Sequence, residues 1–139
     1  MNLSASDARE RFADSRVARL ATADATGVPH IVPVTFVVDG DLIYFAIDHK
    51  PKRSTNLRRL RNIAENPMVS AVADQYADDW AELWWARADG RAEIWDNGDD
   101  RAKAVALLQA KYRQYEETPP HGPVVAIRVS AWTGWAYAG

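Results

Sequence analysis

Two Asp-Gly pairs, at positions 39–40 and 89–90, constrain the fold of this chain more than any other feature of its sequence. Asp-Gly between two strand-like runs is a favoured two-residue turn of a β-hairpin. The flanking runs are rich in β-branched or aromatic residues, which favour strands. They are Val28 to Val38 and Leu42 to Ile47 around the first pair, and Glu82 to Ala88 and Arg91 to Trp95 around the second. The sequence therefore predicts two antiparallel hairpins.

Three further segments have the character of strands, and three have helical spacing of apolar residues. The predicted strands are Val17 to Thr22, Met68 to Ala73 and Pro123 to Val129. The predicted helices begin at Ser4 or Ser6, at Ser54 or Thr55, and at Asp99, and the last runs unbroken to Pro119. The order is thus helix, three strands, helix, three strands, helix, strand, and the first three strands are predicted to form a meander.

Hairpins dominate this order, and it contains no regular βαβ unit. The sheet is therefore predicted to be antiparallel and curled into a small barrel with helices packed outside, a mainly β (α+β) fold. Residues 1–139 are predicted to form a single domain. Pro29 and Pro33 lack the N–H that a central strand needs. Each is therefore expected at the start of a strand, on an edge strand or at a bulge.

Composition excludes several classes of function. The formal net charge is −2 and cysteine is absent, so the chain has no disulfide, no thiolate metal site and no overall positive field for nucleic acid. Three histidines, at positions 30, 49 and 121, are too scattered to predict a metal site. The polar start lacks the pattern of a signal peptide, and no apolar run could span a membrane. We expect a cytoplasmic protein without a membrane or nucleic-acid partner.

The basic segment Lys50 to Arg61, KPKRSTNLRRLR, holds six of the 17 Lys and Arg residues and no acidic residue. Its first half lies where a strand gives way to a helix, and cations there oppose the helix dipole. A phosphate would instead use basic side chains, hydroxyls and free backbone N–H groups together. Two interpretations stay open: a phosphate-bearing ligand or a basic rim without a ligand. The residues of this candidate site are Lys50, Lys52, Arg53, Ser54 and Thr55, whereas Arg58, Arg59 and Arg61 are predicted to face solvent.

Six tryptophans are more large aromatic surface than one small core usually needs. Trp is favoured where one side of the ring is buried and the other meets a partner or ligand. Motifs of common hydrolases, nucleotide triphosphatases and dinucleotide-binding enzymes are missing, so any chemistry is expected to come from a bound cofactor.

The stretches LATADATGVPHIVPVTFVVDGDLIYFAID and KPKRSTNLRRLRNIAENPMVSAV resemble the pyridoxamine 5'-phosphate oxidase-like (PPOX class) flavin and deazaflavin oxidoreductases. That family folds as a split β-barrel of the FMN-binding type. DDWAELWWARADGRAEIW, AKYRQY and WTGW resemble the branch that uses the deazaflavin coenzyme F420. The resemblance covers nearly the whole chain. It implies an F420-dependent oxidoreductase that transfers hydride to a planar unsaturated small molecule. The alternatives are an FMN-dependent oxidoreductase, or a flavin-, deazaflavin- or haem-binding module without turnover.

The resemblance also implies where the cofactor lies. The strand residues expected along the cofactor ring are Val32, Pro33, Val34, Thr35 and Phe36. The residues expected to hold its phosphate are Lys50, Lys52, Arg53, Ser54 and Thr55. The family is dimeric, with each cofactor between subunits, so tryptophans are expected in core or dimer packing, and Trp80 and Trp135 on the ligand side. The flavin oxidases of this family bind pyridoxal phosphate with an arginine and a histidine from a later part of their sequence. This chain lacks that pair, so oxidation of pyridoxamine phosphate is not expected. Tyr76, His30 and Thr35 are candidate proton donors, and no spacing selects among them.

Overall fold

The computed structural model of the chain describes residues 1–47 and 55–138, and of residues 55–57 only the backbone. The helices are α1 (Ala5–Asp14), α2 (Thr55–Glu65), α3 (Asp99–Lys111) and α4 (Arg113–Glu117), with a short 3₁₀ helix at Trp80–Glu82. The strands are β1 (Ala18–Ala23), β2 (Pro29–Val34), β3 (Val37–Asp39), β4 (Leu42–Ala46), β5 (Met68–Gln75), β6 (Trp84–Trp95) and β7 (Val124–Ala136). No helix in these two ranges is long and apolar enough to cross a membrane.

The seven strands form one antiparallel sheet in the order β2-β1-β5-β6-β7-β4-β3. β2 and β3 lie at its two edges, although only Thr35 and Phe36 separate them in the sequence. A chain of that length spans at most roughly 11 Å between Cα atoms. The two edges therefore meet at this point, which we call the β2–β3 corner, and the sheet curls into a barrel. The predicted antiparallel barrel with flanking helices is confirmed.

The predicted meander of the first three strands is wrong. β2 pairs with β1, and β3 pairs with β4, but the sheet order places β2 and β3 at opposite edges. The predicted strand Val28 to Val38 is divided at the corner, where the chain leaves one edge and enters the other. Pro29 and Pro33 both lie on the edge strand β2, where their missing N–H groups are tolerated.

The predicted hairpin at Asp89-Gly90 is also wrong, because β6 is one strand of 12 residues. Gly40 has a φ of 64° in the β3–β4 turn, as a turn of this kind requires. Gly90 lies inside a strand, where the register against β7 shifts and Ser130 becomes the extra residue of a β-bulge. A Cβ at Gly90 would collide with the backbone carbonyl oxygen of Arg128. Close approach of two strands, rather than a turn, explains this glycine.

Two other elements differ in length from their predictions. β7 continues from the predicted strand through Ala136, and it pairs with β6 and with β4. The predicted single helix after Asp99 is broken at Tyr112, whose φ of −121° and ψ of 119° are extended. This break turns the Tyr112 side chain toward the body of the protein, where it contacts the β2–β3 corner.

The core lies between the barrel and α1. Phe12 is fully buried, and its ring centroid lies 4.8 Å from that of Phe36 and 5.5 Å from that of Trp132. A second apolar cluster joins α3 to the other face of β4 and the start of β7 through Ala104 and Leu108. α2 packs on β1 and β6, with Ile63 in the main core.

No described helix covers one broad face of the sheet. Side chains alternate along a strand, so residues that neighbour the buried Leu20, Ala71 and Ala88 point away from the core. Residues that lie opposite each other in the strand register extend this second face across five strands, β2, β1, β5, β6 and β7. We call it the outer sheet face, and it comprises Pro29, Ile31, Pro33, Arg19, Ala21, Met68, Ser70, Val72, Trp85, Arg87, Asp89, Thr133 and Trp135.

Candidate cofactor site at the β2–β3 corner

The corner presents two of the five predicted ring-binding side chains to solvent. Phe36 is 0% exposed and lies in the core on Phe12, and Val34 is also buried. Val32 is half-buried and packs against the same core. Pro33 and Thr35 are exposed. Alternation along the strand thus divides the predicted set into an inward and an outward group.

Within residues 1–47 and 55–138, β2 pairs with β1 alone, so the opposite edge of its backbone is free of described strands. A proline leaves a ladder intact only where its missing N–H faces away from the neighbouring strand. Backbone groups alternate sides along an antiparallel strand, so Pro29, Ile31 and Pro33 all direct theirs to the free edge. Within β2 this edge then carries three carbonyl groups and the N–H of Ile31. It is suited to a ligand that donates hydrogen bonds.

Two tyrosines hold the corner in place: Tyr112 at the break between α3 and α4, and Tyr115 in α4. The Phe36 N–H donates to Tyr112 Oη at 3.1 Å. The same hydroxyl lies 2.9 Å from the Phe36 carbonyl oxygen and 2.8 Å from that of Arg16, so its one proton is donated to one of these two. Tyr115 Oη lies 3.1 Å from Thr35 Oγ1. Burial raises the pKa of Tyr112, so its hydroxyl keeps its proton at neutral pH.

Lys111 ties the same break to the end of α1. Its Nζ donates to the carbonyl oxygens of Ala13 at 3.1 Å and of Ser15 at 2.8 Å, and lies 3.9 Å from the Phe36 ring centroid. A cation at a helix C-terminus is favourable. Burial, followed by the positive charge of Arg16, nevertheless lowers the pKa of Lys111 to about 8.

Lys111→Met is expected to change how stability depends on pH. The pKa of Lys111 is about 8 in the folded protein, against the ordinary lysine pKa of 10.5 that applies to the unfolded chain. Between these two pKa values the unfolded chain binds more protons at this lysine than the folded protein does. Raising the pH removes that advantage of the unfolded chain, so the free energy of unfolding increases. Because Lys111 is only half-buried, solvent screening reduces the expected gain to about 1 kcal/mol between pH 8 and 10.

Urea unfolding at pH 7, 8, 9 and 10 would measure this effect. The stability advantage of the wild type over Lys111→Met should grow with pH in that window, whereas Lys103→Met, at an exposed lysine of α3, should leave the wild-type slope unchanged. Equal slopes for the wild type and Lys111→Met would contradict the assignment.

Most of the predicted phosphate site lies outside the described residues. Thr55 is the first residue of α2, so the predicted start of the helix at Ser54 or Thr55 is confirmed, but only the backbone of Thr55 is described. The N-terminus of the helix thus lies within the basic segment, as expected. The residues outside the described part of the chain are Lys50, Lys52, Arg53 and Ser54, and their role remains a prediction.

The two tryptophans predicted on the ligand side occupy different places. Trp80 lies in the 3₁₀ helix with 59% of its surface exposed. Trp135 lies half-buried on the outer sheet face opposite Trp85, and its ring centroid is 6.3 Å from that of Tyr137. Of the others, Trp84 and Trp132 pack against the main core and Trp95 packs against Tyr44. Core packing therefore accounts for part of the tryptophan excess.

Among the candidate proton donors, Thr35 is the residue in the corner itself. Tyr76 follows β5 and is 71% exposed. The Nδ1 atom of His30 is buried and has no hydrogen-bond partner within the described part of the chain. No group of three His, Asp or Glu residues in residues 1–47 and 55–138 could hold a metal ion.

Sequence reasoning missed Tyr112, Lys111 and Arg16. The helical spacing of Tyr112 and Tyr115 in the sequence predicts the apolar face of one long helix and gives no indication of a hydrogen bond from either hydroxyl. A signal was available, because a buried tyrosine usually needs a partner for its hydroxyl and the AKYRQY stretch carries two at the end of a helix.

Comparisons with known proteins agree with this fold. A FAD-binding protein from Mesorhizobium loti is 21% identical with a TM-score of 0.73, and the match covers 96% of this chain and 95% of that one. The FAD-binding protein from Mycobacterium smegmatis is 20% identical with a TM-score of 0.69 and 99% coverage of both chains. A protein of unknown function from Corynebacterium diphtheriae is 23% identical with a TM-score of 0.70, covering 98% and 96%. At these identities the likeness shows the fold.

No curated protein sequence matches the chain. The family model of pyridoxamine 5'-phosphate oxidase matches residues 5–136, nearly the whole of it. The same residues form the antiparallel barrel and both edges of the corner. The chain therefore belongs to the pyridoxamine 5'-phosphate oxidase family.

Proposed function

We propose that this protein is an oxidoreductase that binds the deazaflavin coenzyme F420 and transfers hydride to a planar unsaturated small molecule. The observation that carries the proposal is the β2–β3 corner, where the free edge of β2 is rich in carbonyl groups and Tyr112 holds the backbone of Phe36 just beyond that strand. Family membership supports a flavin-type cofactor, and two of the similar structures are FAD-binding proteins. The choice of F420 comes from the resemblance of the tryptophan-rich stretch, the AKYRQY stretch and the WTGW ending.

The residues of the chain fit such a cofactor in two places. Pro33 and Thr35 are the exposed side chains expected beside the ring, and the free edge of β2 would accept hydrogen bonds from its polar rim. The phosphate would bind at the N-terminus of α2, where the dipole and free N–H groups favour an anion. The basic residues expected there are Lys50, Lys52 and Arg53, with the hydroxyls of Ser54 and Thr55.

The bound cofactor would supply the hydride, and the protein would orient the substrate against the ring. Thr35 offers a hydroxyl at the corner, and Tyr115 Oη lies 3.1 Å behind it. A second hydroxyl in hydrogen-bond reach lets Thr35 pass on a proton and regain another. We propose Thr35 as the group that holds a proton for the substrate, in preference to Tyr76 and His30.

We also propose a homodimer with the cofactor between the subunits. Ile31 and Met68 on the outer sheet face are 64% and 55% exposed, and Trp85 and Trp135 extend the apolar surface. An exposed apolar area of this breadth is typical of an interaction surface. The free edge of β2 borders this face, so a second copy there would cover a ring lying at the corner.

Cofactor titration tests the proposal. We expect micromolar quenching of F420 fluorescence by the purified protein and weaker binding of FMN. Lys52→Ala should weaken F420 binding about tenfold or more, because one charge-assisted phosphate contact is lost. Lys103→Ala, at an exposed lysine of α3, is the control and should leave affinity unchanged.

Three outcomes would favour other interpretations. Binding of neither cofactor would overturn the proposal, and tighter binding of FMN would favour an FMN-dependent enzyme. A loaded protein that reduces no enone, quinone or tetrapyrrole would favour a binding module without turnover.

A further inference from the structure

A cleft of ≈480 Å³ opens at the end of the barrel where α1, β1, β5 and β6 meet. Three arginines, two aspartates and a tryptophan are among the residues that line it. We call it the arginine cleft, and these residues are Arg11, Arg16, Arg19, Asp14, Asp74 and Trp84. Its lining residues all lie outside the basic segment Lys50 to Arg61 in the sequence.

Among the described residues, two of the three arginines have guanidinium groups without an acidic partner. Arg19 lies 3.6 Å from Asp74, an exposed ion pair. Arg11 stacks over the Trp84 ring at 5.7 Å, and Arg16 donates through Nη1 to the Lys111 carbonyl oxygen at 2.8 Å. Within the described residues neither has a carboxylate oxygen within 4.0 Å. Since a guanidinium has five N–H donors, both retain donors for a ligand.

The surroundings of Arg16 carry an excess of positive charge. Its guanidinium also lies 5.5 Å from the Tyr112 ring centroid, close to Lys111. After burial, the charge of Arg16 is the next largest cause that lowers the pKa of Lys111, and Asp14 opposes it only in part. An anion bound to Arg16 would relieve this repulsion. Arginine forks are suited to carboxylate and phosphate, which they bind through two parallel hydrogen bonds.

Two lining residues of the arginine cleft, Arg19 and Arg16, lie beside the β2–β3 corner. Arg19 is the direct partner of Pro33 in the β1–β2 register. The Arg16 carbonyl lies against the Tyr112 hydroxyl that also contacts the backbone of Phe36. Trp84 is half-buried and provides an apolar wall inside the cleft. A molecule with an anionic group in the cleft and a flat apolar part could therefore extend to Pro33 and Thr35.

We propose that the arginine cleft binds the carboxylate or phosphate group of the substrate, which is accordingly a planar organic anion. That the anion belongs to the substrate rests on the function proposed above, whereas anion binding by the cleft does not. The acidic tail of a long deazaflavin cofactor offers the same chemistry, so the test must separate the two sources.

Calorimetric titration of the cofactor-free protein tests the cleft directly. Benzoate and phenyl phosphate are the anionic probes, and benzamide is a neutral probe of the same shape. We expect submillimolar binding of the anions, weakened by salt, and at least about tenfold weaker binding of benzamide. Arg11→Gln and Arg16→Gln should each weaken benzoate binding about tenfold. Arg9→Gln is the matched control, because Arg9 lies on the same helix as Arg11 but pairs with Asp41 at 3.6 Å, and it should leave benzoate affinity unchanged.

Equal affinity for benzoate and benzamide, or equal loss in Arg9→Gln and Arg16→Gln, would overturn the anion site. Arg16→Lys is the control for a folding defect, because it keeps the positive charge but cannot form the two parallel hydrogen bonds of a guanidinium group. We expect it to bind benzoate with intermediate affinity and to melt as the wild type does.

A second titration separates the two sources of the anion. Benzoate is added to protein saturated with F420, and separately with a deazaflavin that lacks the phosphate and acidic tail. If the cleft is for the substrate, both complexes bind benzoate equally and Arg16→Gln leaves F420 affinity unchanged. Blocking of benzoate by F420 alone would assign the cleft to the cofactor tail and overturn the substrate assignment. Absence of F420 binding would refute the proposed function but not the benzoate result.

Discussion

The double variant Ile31→Asp, Met68→Asp is expected to be a monomer, with the dimer dissociation constant raised by at least about 100-fold. Both side chains lie on the outer sheet face and are exposed in the single subunit, so the substitutions should leave the fold intact. In a dimer they would place carboxylates in an apolar interface, which costs several kcal/mol. Sedimentation of wild type and variant over a range of concentrations measures the change.

The matched control for this experiment is Ala102→Asp with Ala106→Asp, on the exposed side of α3. It adds the same charge away from the outer sheet face and should sediment as the wild type does. If the cofactor lies between subunits, the monomeric variant should also bind F420 at least about tenfold more weakly. A variant that remains dimeric would show that a second copy does not use this face.

Tyr112→Phe is expected to lower the unfolding free energy by about 2 kcal/mol. The change removes one hydroxyl, leaving the Phe36 N–H without its partner and one of two carbonyl groups without a donor. An unsatisfied buried group costs about 1 to 3 kcal/mol. Because this hydroxyl fixes the corner, the affinity for F420 should fall as well. Urea unfolding and cofactor titration measure the two effects.

Tyr115→Phe is the comparison for this prediction, since it removes a hydroxyl three residues away that contacts the exposed Thr35 side chain. Water can replace that bond, so we expect a loss below about 1 kcal/mol. Equal destabilisation by both substitutions would argue against a special role for Tyr112. Unchanged F420 affinity in Tyr112→Phe would remove the corner from the cofactor site.

The two Asp-Gly pairs illustrate how far the sequence predicts this fold. The same dipeptide forms a hairpin turn at Gly40 and a strand interior at Gly90. The difference between the two sites comes from β7. The carbonyl group of Arg128, nearly 40 residues later in the sequence, lies so close to Gly90 that no side chain fits there. Local patterns predict the strands, their antiparallel pairing and the barrel, because alternation and turns are local. They do not predict that the chain passes from one sheet edge to the other at Thr35 and Phe36, and so the meander was wrong.

The candidate site was predictable to a similar degree. Pro33 was correctly expected at a place that tolerates a missing donor, because that rule concerns one residue alone. The hold of Tyr112 on Phe36 was not predictable, since it depends on a helix break and a contact across 76 residues. Arg16 and Lys111 escaped notice for the same reason, because each meets the other only through tertiary packing. The expected phosphate site stays a prediction from charge and resemblance.

The β3–β4 hairpin joins the rest of the sheet through β7, the last strand of the chain. Tyr44 and Phe45, almost fully buried in the finished protein, pair with Ala126 and Val125. A ribosome adding about 5 to 20 residues per second needs roughly 4 to 16 s to make the intervening chain. During that interval the hairpin has no partner strand and its apolar residues are open to other chains. Synthesis, rather than the folded state, is therefore the stage at which this barrel is most exposed to misfolding.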